Sequence, residues 1–364
     1  MFVAWRDMRF ATGRFVLIGA VVTLITLLVG FLSGLTAGLA NQNISAITGL
    51  GASSVVLAEP ADGEQVSFAD STLDADAAAD WAALPGVERV QELGISQTRV
   101  TADDARTSVS VFGVEQLGTD VSTASTMETP RPGTVRLSRT AADALSVVDG
   151  DTVTIAGTDL DVAGVVDDQW YSHTPVVWTS LADWRSMQTS MGAPSSGSTA
   201  LAITGSPDAS DVAAAEGSTG TVSKDVLSSL LAIGSFRSEI GSLLLMVAML
   251  FGISALVIGA FFTVWTIQRA GDVAILKALG ATTGRLTLDA LGQALVLLVL
   301  GVGLGIGLTA ALGAAAGTAL PFVLSPLTTV LPGIVMILLG LVGAAFALRS
   351  ILSADPLTAL GGNR

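Results

Sequence analysis

The fold is decided by the stretch Glu239-IGSLLLMVAMLFGISALVIGAFFTVWTI-Gln268, which continues directly into Arg269-AGDVAILKALGATTG-Arg285. No charged residue occurs from Ile240 to Gln268. A helix rises about 1.5 Å per residue, so this run is long enough to cross a hydrocarbon core of about 30 Å with some tilt. A carboxylate precedes the run and basic residues follow it. The sequence therefore predicts a membrane protein whose second long apolar helix joins the two membrane faces.

The composition supports this class and excludes several others. The hydrophobic fraction is 51% and the mean hydropathy is +0.68, too apolar for an ordinary soluble domain. Cysteine is absent, which excludes disulfides, thiolate metal sites and cysteine nucleophiles. His173 is the only histidine, so one chain cannot form a multi-histidine metal site.

The charges divide by region. Residues 41–239 carry 9 basic and 27 acidic residues, whereas the basic residues elsewhere all flank apolar segments. These flanking residues are Arg6, Arg9, Arg14, Arg269, Lys277, Arg285, Arg349 and Arg364. Short basic flanks stay in the cytoplasm, while a long acidic domain can be translocated. The acidic region is therefore predicted to lie outside the cell membrane, and its charge argues against a nucleic-acid partner.

These features predict a membrane α-helical fold with four transmembrane helices and a mixed α/β extracytoplasmic domain inserted between helices 1 and 2. In chain order we predict a cytoplasmic amphipathic segment at 1–14, a first span at 15–40, the outer domain at 41–235, a second span at 239–268, a cytoplasmic hinge helix at 269–285, spans at 286–319 and 331–350, and a cytoplasmic tail at 351–364. The first apolar run is too long for a signal peptide, which favours a retained anchor. The prolines at 321, 326 and 332 divide the last apolar run into two helices. Four crossings place both termini in the cytoplasm.

Small residues in the spans have two interpretations. Gly30, Gly34 and Gly38 repeat at a spacing that allows close helix packing, although glycine is also common in membrane helices. The glycines at 301, 303, 305 and 307 resemble a nucleotide fingerprint, but no strand precedes them, so helix packing is favoured. No phosphate loop of the GxxxxGK[ST] type occurs. His173 has no nucleophile signature nearby, which favours a surface loop histidine over a catalytic one.

The hinge 269–285 carries the most specific signal. A short amphipathic helix is predicted, with Val273, Leu276 and Leu279 on one side, Lys277 on the other, and Gly280 at its end. An apolar stripe on a short cytoplasmic helix has nothing within a membrane domain to bury against. It therefore indicates a docking element for another protein.

This hinge resembles the coupling helix of the permease subunits of type VII ABC transporters, the MacB/FtsX group. The matching residues are Arg269, Asp272, Val273, Ala274, Ile275, Leu276, Lys277, Ala278, Leu279, Gly280 and Ala281, with Asp272 standing where glutamate is usual. The resemblance extends to the layout of the whole chain. It implies a homodimer, not itself catalytic, bound to two copies of a separate ATPase subunit that binds ATP and Mg. The residues implied to couple to that ATPase are Asp272, Ile275, Leu276, Lys277, Leu279 and Gly280.

Within this group the N-terminal third is similar to the haem-exporter permeases of Gram-positive bacteria (the HrtB type). The resemblance lies in Trp5-Arg6-Asp7, in the segments 14–19, 35–40 and 43–47, and in Val55-Val56-Leu57. It implies that haem is the transported substrate and that no cofactor is intrinsic.

Haem requires an apolar slot and optionally an axial ligand. The candidate substrate-binding residues are Glu239, Met246, Leu243 and Arg237, with Glu239 as a possible ligand of the haem iron. We place Glu239 in the first turn of the second span, where the helix dipole favours an anion. The alternative is that Glu239 is an interfacial helix cap paired to Arg237. Asn41 and Asn43, at the outer end of the first span, have two interpretations: they border the same slot, or they solvate the end of the helix. The second interpretation is favoured.

Two other functions remain open at this stage. One is an exporter of a peptide, a lipid or an antibiotic. The other is a mechanotransmitter of the cell-division type, which moves no substrate and activates a cell-wall hydrolase through its outer domain.

The predicted orientation can be measured because the chain contains no cysteine. A membrane-impermeant maleimide should fail to label Thr283→Cys in intact cells and should label it after permeabilisation. Asp159→Cys, in the predicted outer domain, is the matched control and should be labelled in intact cells. Labelling of Thr283→Cys from outside would overturn the topology.

Overall fold

The structure is a computed structural model, and it describes residues 12–115, 130–192, 197–269, 271, 273, 275, 277, 279–317 and 320–352. Two compact units share these residues. The membrane unit contains the chain up to Gly38 and from Ser242 onward, and the outer unit contains Leu39–Gly241. Residues 353–364 of the predicted tail and residues 1–11 of the predicted N-terminal segment lie outside the described residues.

The helices and strands are defined as follows. The named helices are α1 (Thr12–Thr48), α2 (Ala75–Ala82), α3 (Arg139–Leu145), α4 (Leu181–Ser190), α5 (Ala209–Thr219), α6 (Val226–Ser229), α7 (Gly234–Gln268), α8 (Thr283–Ala316) and α9 (Pro326–Leu352), with a 3-10 turn at Leu230–Ala232. The strands are β1 (Ser54–Ala58), β2 (Val87–Ala102), β3 (Ala105–Val114), β4 (Thr134–Ser138), β5 (Thr152–Ile155), β6 (Thr158–Val166), β7 (Trp170–Tyr171), β8 (Thr174–Ser180), β9 (Ala200–Gly205) and β10 (Thr221–Asp225).

Four helices of the described chain, α1, α7, α8 and α9, are long and apolar enough to cross a membrane. The strands and short helices lie between α1 and α7, so the predicted fold class is confirmed. The core of the membrane unit includes Val29, Phe262, Leu298 and Met336, all nearly inaccessible to solvent. These residues come from α1, α7, α8 and α9 respectively, so each long helix contributes to one core.

The glycine stripe of α1 makes close contacts inside the membrane unit. A Cβ atom at Gly38 would lie 1.7 Å from the carbonyl oxygen of Pro321, and one at Gly34 would lie 2.4 Å from the ring of Phe322. The Thr23 hydroxyl of α1 donates to the Gly301 carbonyl oxygen of the facing helix α8 at 3.0 Å. Any side chain at Gly34 or Gly38 would push these segments apart, which favours the packing interpretation over mere abundance.

Several helix ends differ from the predicted boundaries. Helix α1 continues past residue 40 to Thr48, and α7 begins at Gly234, before residue 239. The extra turn of α1 buries Ile47 completely in the outer unit, which stabilises that unit by about 2 kcal/mol. Pro326 begins α9 and Pro332 lies inside it rather than before it. Apolar membrane helices tolerate such an internal proline because neighbouring groups satisfy the freed carbonyl.

The outer unit is organised around one long, bent sheet. Its strand order is β10-β1-β9-β2-β3-β8-β4-β6-β5, and β5 returns to pair with β2 through Val100↔Ile155. The second half of the sheet is therefore closed on itself, and its interior is filled by alternating side chains such as Val111, Val153 and Val177. The segment 134–166 supplies β4, β5 and β6 of this closed part.

A second cluster joins the ends of the long helices to this sheet. It contains Ile47 from α1, Phe236 from α7, and Phe112, Tyr171 and Trp178 from the strands. The aromatic rings pack edge-on or tilted, with the centroids of Phe112 and Trp178 5.1 Å apart. The last turns of α1 and the first turns of α7 are thus part of the core of the outer unit.

Two glycines face each other across β2 and β3 beneath one tryptophan. Gly94 and Gly113 are direct partners in the ladder. A Cβ atom at Gly94 would lie 2.2 Å from the indole of Trp184, and one at Gly113 would lie 2.4 Å from the Cβ of the same residue. The sheet can accept Trp184 only because these two positions carry no side chain.

We predict opposite effects of one substitution at two glycines. Gly94→Ala should destabilise the outer unit by about 1–3 kcal/mol, because the methyl group overlaps the buried indole. Gly217→Ala, on the exposed side of α5 with open space around it, should stabilise it by about 0.5–1 kcal/mol through helix propensity. Thermal unfolding of the purified full-length chain, followed by tryptophan fluorescence, measures both. A Gly94→Ala protein as stable as the original would contradict the packing described above.

Candidate functional site

Glu239 lies in the second turn of α7, because that helix begins at Gly234. The helix dipole acts mainly on the first turn, so neighbouring side chains rather than the dipole must hold this carboxylate. Its side chain is 39% exposed, and Arg237 on the same helix is also exposed. Leu243 is buried and Met246 is 40% exposed; both belong to the membrane unit.

The tip of the β7–β8 hairpin approaches the end of α1. Its two central residues, Ser172 and His173, have φ angles of 49° and 63°, and both are in the left-handed region. Such a two-residue turn normally uses glycine or asparagine, and each other residue there costs about 1 kcal/mol. The backbone N–H groups of Ser172 and His173 donate to the carbonyl oxygens of Asn43 and Gln42 at 3.1 Å and 2.9 Å. Contacts with α1 therefore hold the strained turn.

The turn places His173 against Glu239. The imidazole Nε2 lies 3.0 Å from Oε1 and 3.1 Å from Oε2 of Glu239. It also lies 3.0 Å from the amide nitrogen of Asn43. Carboxylate oxygens only accept hydrogen bonds, so Nε2 must carry a hydrogen and donate it to Glu239. The amide of Asn43 therefore donates elsewhere, and its partner is Glu239 Oε2 at 3.1 Å.

A directed chain of hydrogen bonds completes the cluster. The Ser235 hydroxyl donates to Oδ1 of Asn43 at 2.6 Å, so the Ser172 hydroxyl must donate to Ser235, at 2.8 Å. Asn43 is fully buried, and its amide nitrogen donates the next hydrogen bond of the chain to Glu239. Three elements, α1, α7 and the hairpin, are thereby joined by side chains that end on one partly exposed carboxylate.

The base of the hairpin is apolar and fixed. Tyr171 packs edge-on against Phe68 and Phe112 in the core. Burial raises the pKa of the Tyr171 phenol, because the charged form would lose its hydration. The residue therefore stays neutral and acts as a hydrophobic anchor for the polar tip.

The cluster contains one carboxylate, that of Glu239. Asn43 and His173 donate hydrogen bonds to it, and it is also accessible to solvent. Such a group can bind a cationic centre through an oxygen atom. Within the described part of the chain, no group of three or more His, Asp or Glu side chains is placed to hold a metal ion.

The structure changes two interpretations made from the sequence. Asn43 does not solvate a helix end, because it is buried and bonded to Glu239, whereas Asn41 is exposed. His173 is not an isolated loop residue, because it bonds to the same carboxylate. The sequence carries no signal for this contact: Ser172-His173 does not look like a tight turn, and His173 and Glu239 are far apart in the chain.

The hinge helix presents apolar side chains to solvent. Ile275 is 61% exposed and Leu279 is 79% exposed, and the N–H of Leu279 donates to the carbonyl oxygen of Ile275 at 3.0 Å. Gly280 has a φ of 94°, a conformation that ends helices. Asp272 and Leu276 lie outside the described residues.

Before the hinge, the end of α7 is bound to α8. The Arg269 guanidinium lies 5.1 Å from the centre of the Trp265 ring and donates to Gln293, which donates to Asp289 at 3.1 Å. A movement of the hinge would therefore reach both helices.

Comparison with known proteins gives the family. The model of the MacB-like periplasmic core domain matches residues 15–219, more than half of the chain. The model of the FtsX-like permease C-terminal region matches residues 244–356. The chain belongs to the MacB/FtsX-like permeases of type VII ABC transporters.

Relatives of this permease match over their whole length. A protein of Staphylococcus haemolyticus named as a hemin transport system permease protein, HrtB, is 26% identical over 380 residues, covering 100% of this chain and 99% of that protein. One of Staphylococcus epidermidis with the same name is 24% identical over 369 residues, covering 100% of both. The solved periplasmic region of MacB from Actinobacillus actinomycetemcomitans aligns with a TM-score of 0.40 at 14% identity, over 50% of this chain and 92% of that one.

We predict that Asn43→Leu destabilises the outer unit of the permease. The change leaves the Ser235 hydroxyl and one oxygen of Glu239 without their buried partner, at a cost of about 1–3 kcal/mol. Asn41→Leu, on the exposed side of the same helix, should change stability by less than about 0.5 kcal/mol. Thermal unfolding of the full-length protein compares them. Equal effects of the two substitutions on thermal unfolding would show that the buried hydrogen-bond network does not contribute to stability.

Proposed function

We propose that this permease exports haem from the membrane to the outside. The observation that carries the proposal is the partly exposed carboxylate of Glu239, held by Asn43 and His173 at the outer-unit end of α7. Ferric haem carries a cationic iron centre that accepts an oxygen ligand on one face of an otherwise apolar disc. Two relatives that match over the full chain are named for hemin transport, which supports the same cargo class.

Glu239 is the residue we propose for contact with the haem iron. Hydrogen bonds from Asn43 and His173 hold its carboxylate in position, so it is a pre-positioned anionic ligand. Arg237, exposed two residues earlier on α7, is proposed to attract the haem propionates. Met246 and Leu243 stay predictions for the apolar part of the slot.

The energy source is proposed to lie in another protein. ABC permeases work with an ATPase subunit, and we propose that two copies of it bind a homodimer of this chain. The exposed Ile275 and Leu279 of the hinge helix are the proposed contacts, together with Lys277 and Gly280 and with Asp272 and Leu276. ATP binding and hydrolysis would move the hinge, and α7 would carry that motion towards Glu239. Transport requires that the affinity for cargo differ between the two resulting states.

Entry of haem from the lipid is the physically favoured route. Haem is amphipathic, and its porphyrin partitions into the bilayer rather than into water. We propose that N and C termini are cytoplasmic and that release occurs on the side of the acidic outer unit. Cargo would then leave the membrane at the face where Glu239 is placed.

We predict that hemin stimulates ATP hydrolysis by the purified permease–ATPase complex in lipid nanodiscs. Glu239→Gln should raise the hemin concentration needed for half-maximal stimulation by about tenfold, since an anionic ligand of iron becomes a neutral amide. Glu88→Gln, which removes an exposed carboxylate of the same outer unit, is the matched control and should have no effect.

Other outcomes would assign another function. Stimulation by a peptide, a lipid or an antibiotic but not by hemin would identify a different exporter. No stimulation by any of them, together with recovery of a cell-wall hydrolase bound to the full-length permease, would identify a mechanotransmitter.

A further inference from the structure

His173 occupies the position on Glu239 that a cation would take. Its Nε2 is almost equidistant from the two carboxylate oxygens, at 3.0 Å and 3.1 Å. That position, between both oxygens, is the one from which a carboxylate binds a metal ion with both oxygens at once. Asn43 bonds only to Oε2, at 3.1 Å, and is neutral. The direct competitor of an incoming cation is therefore the histidine and not the amide.

A haem iron cannot use both residues together. The two axial positions of haem lie on opposite faces, so two axial donor atoms are separated by roughly 4 Å, twice a metal–nitrogen bond of about 2 Å. The distance of 3.0 Å between Nε2 of His173 and Oε1 of Glu239 is too short for the two atoms to bind opposite faces of one iron. Iron that binds Glu239 must leave His173 out, and a protonated imidazole would also repel the cationic centre.

His173 lies on a hairpin that is connected to the sheet of the outer unit. It forms the turn between β7 and β8, and β8 pairs with both β3 and β4 in the closed part of the sheet. Two side-chain links join this turn to α7: the pair of His173 with Glu239, and the hydrogen bond of Ser172 with Ser235. Loss of the first link would leave the turn held to α7 by one hydroxyl pair.

We propose that His173 is a positioning residue that occupies Glu239 in the cargo-free permease and is displaced by the cargo. Binding of cargo to Glu239 would break the hydrogen bond between His173 and Glu239. The β7–β8 turn of the outer unit would thereby lose one contact with α7 whenever cargo is bound. This inference rests on the proposed haem function of Glu239.

Two substitutions of His173 separate its roles. Asn tolerates the left-handed backbone of this position, but its side chain is too short to place a donor where Nε2 lies. Gln can place an amide nitrogen there, so it keeps a donor without a positive charge. His173→Asn therefore removes the competitor and keeps the turn, and His173→Gln restores a neutral version of the bond.

The test is a titration of the full-length permease, reconstituted with its ATPase, with hemin, followed by the Soret absorbance. His173→Asn should bind hemin about threefold to tenfold more tightly than the unchanged protein, with the Soret maximum at the same wavelength. His173→Gln should lie close to the unchanged protein. Arg139→Gln, which removes an exposed cation elsewhere on the outer unit, should not change the affinity.

A second measurement does not depend on any substitution. Hydrogen–deuterium exchange of the unchanged complex should become faster at residues 170–175 when hemin is added, because the turn loses one of its links to α7. Slower or unchanged exchange there would overturn the displacement.

The remaining outcomes distinguish the two proposals. Weaker binding by His173→Asn with a shifted Soret maximum would make His173 an iron ligand and overturn the inference. Equal affinity of His173→Asn and the unchanged protein would overturn it as well, while leaving the haem function intact. Absence of hemin binding, or binding that is indifferent to Glu239→Gln, would remove the proposed function and this inference with it.

Discussion

The outer unit depends on the burial of the ends of α1 and α7, two long helices that also extend into the membrane unit. Ile47 near the end of α1 and Phe236 in the first turn of α7 both lie in the cluster that also contains Trp178 of the central strand β8. An apolar side chain that is fully buried stabilises the folded state by about 2 kcal/mol. Because these helix turns supply part of the core, the outer unit includes residues 39–241 and not only the segment between the spans.

The same geometry creates the polar cluster. Once Ile47 is fixed in the core, Asn43 lies one turn earlier on α1, and its buried amide must find partners. Its partners are Ser235 and Glu239 of α7, and His173 in the strained turn donates a further hydrogen bond to Glu239. A buried polar side chain that lacks a hydrogen-bond partner lowers the stability of the fold, so each member of this network fixes the position of the others. Hydrophobic packing thus fixes the backbone, and the polar side chains fix one carboxylate.

Helix α7 has side-chain contacts near both of its ends. In the membrane unit, Arg269 ties the end of α7 to α8, next to the exposed apolar side chains of the hinge helix. At the other end of α7, Glu239 is tied to α1 and to the sheet. One continuous helix, Gly234–Gln268, therefore carries both sets of contacts.

The sequence by itself determined the membrane class, the four spans, the inserted α/β domain and the family, because long uncharged runs and the hinge pattern are local signals. It also indicated Glu239 as a candidate site residue, since a carboxylate at the start of an apolar helix is a local signal. Only the tertiary structure brought His173 and Asn43 to that carboxylate. Their contact depends on a left-handed turn without glycine and on a helix that continues beyond the membrane. Neither feature leaves a local pattern, because both are imposed by packing between segments that are distant in the chain.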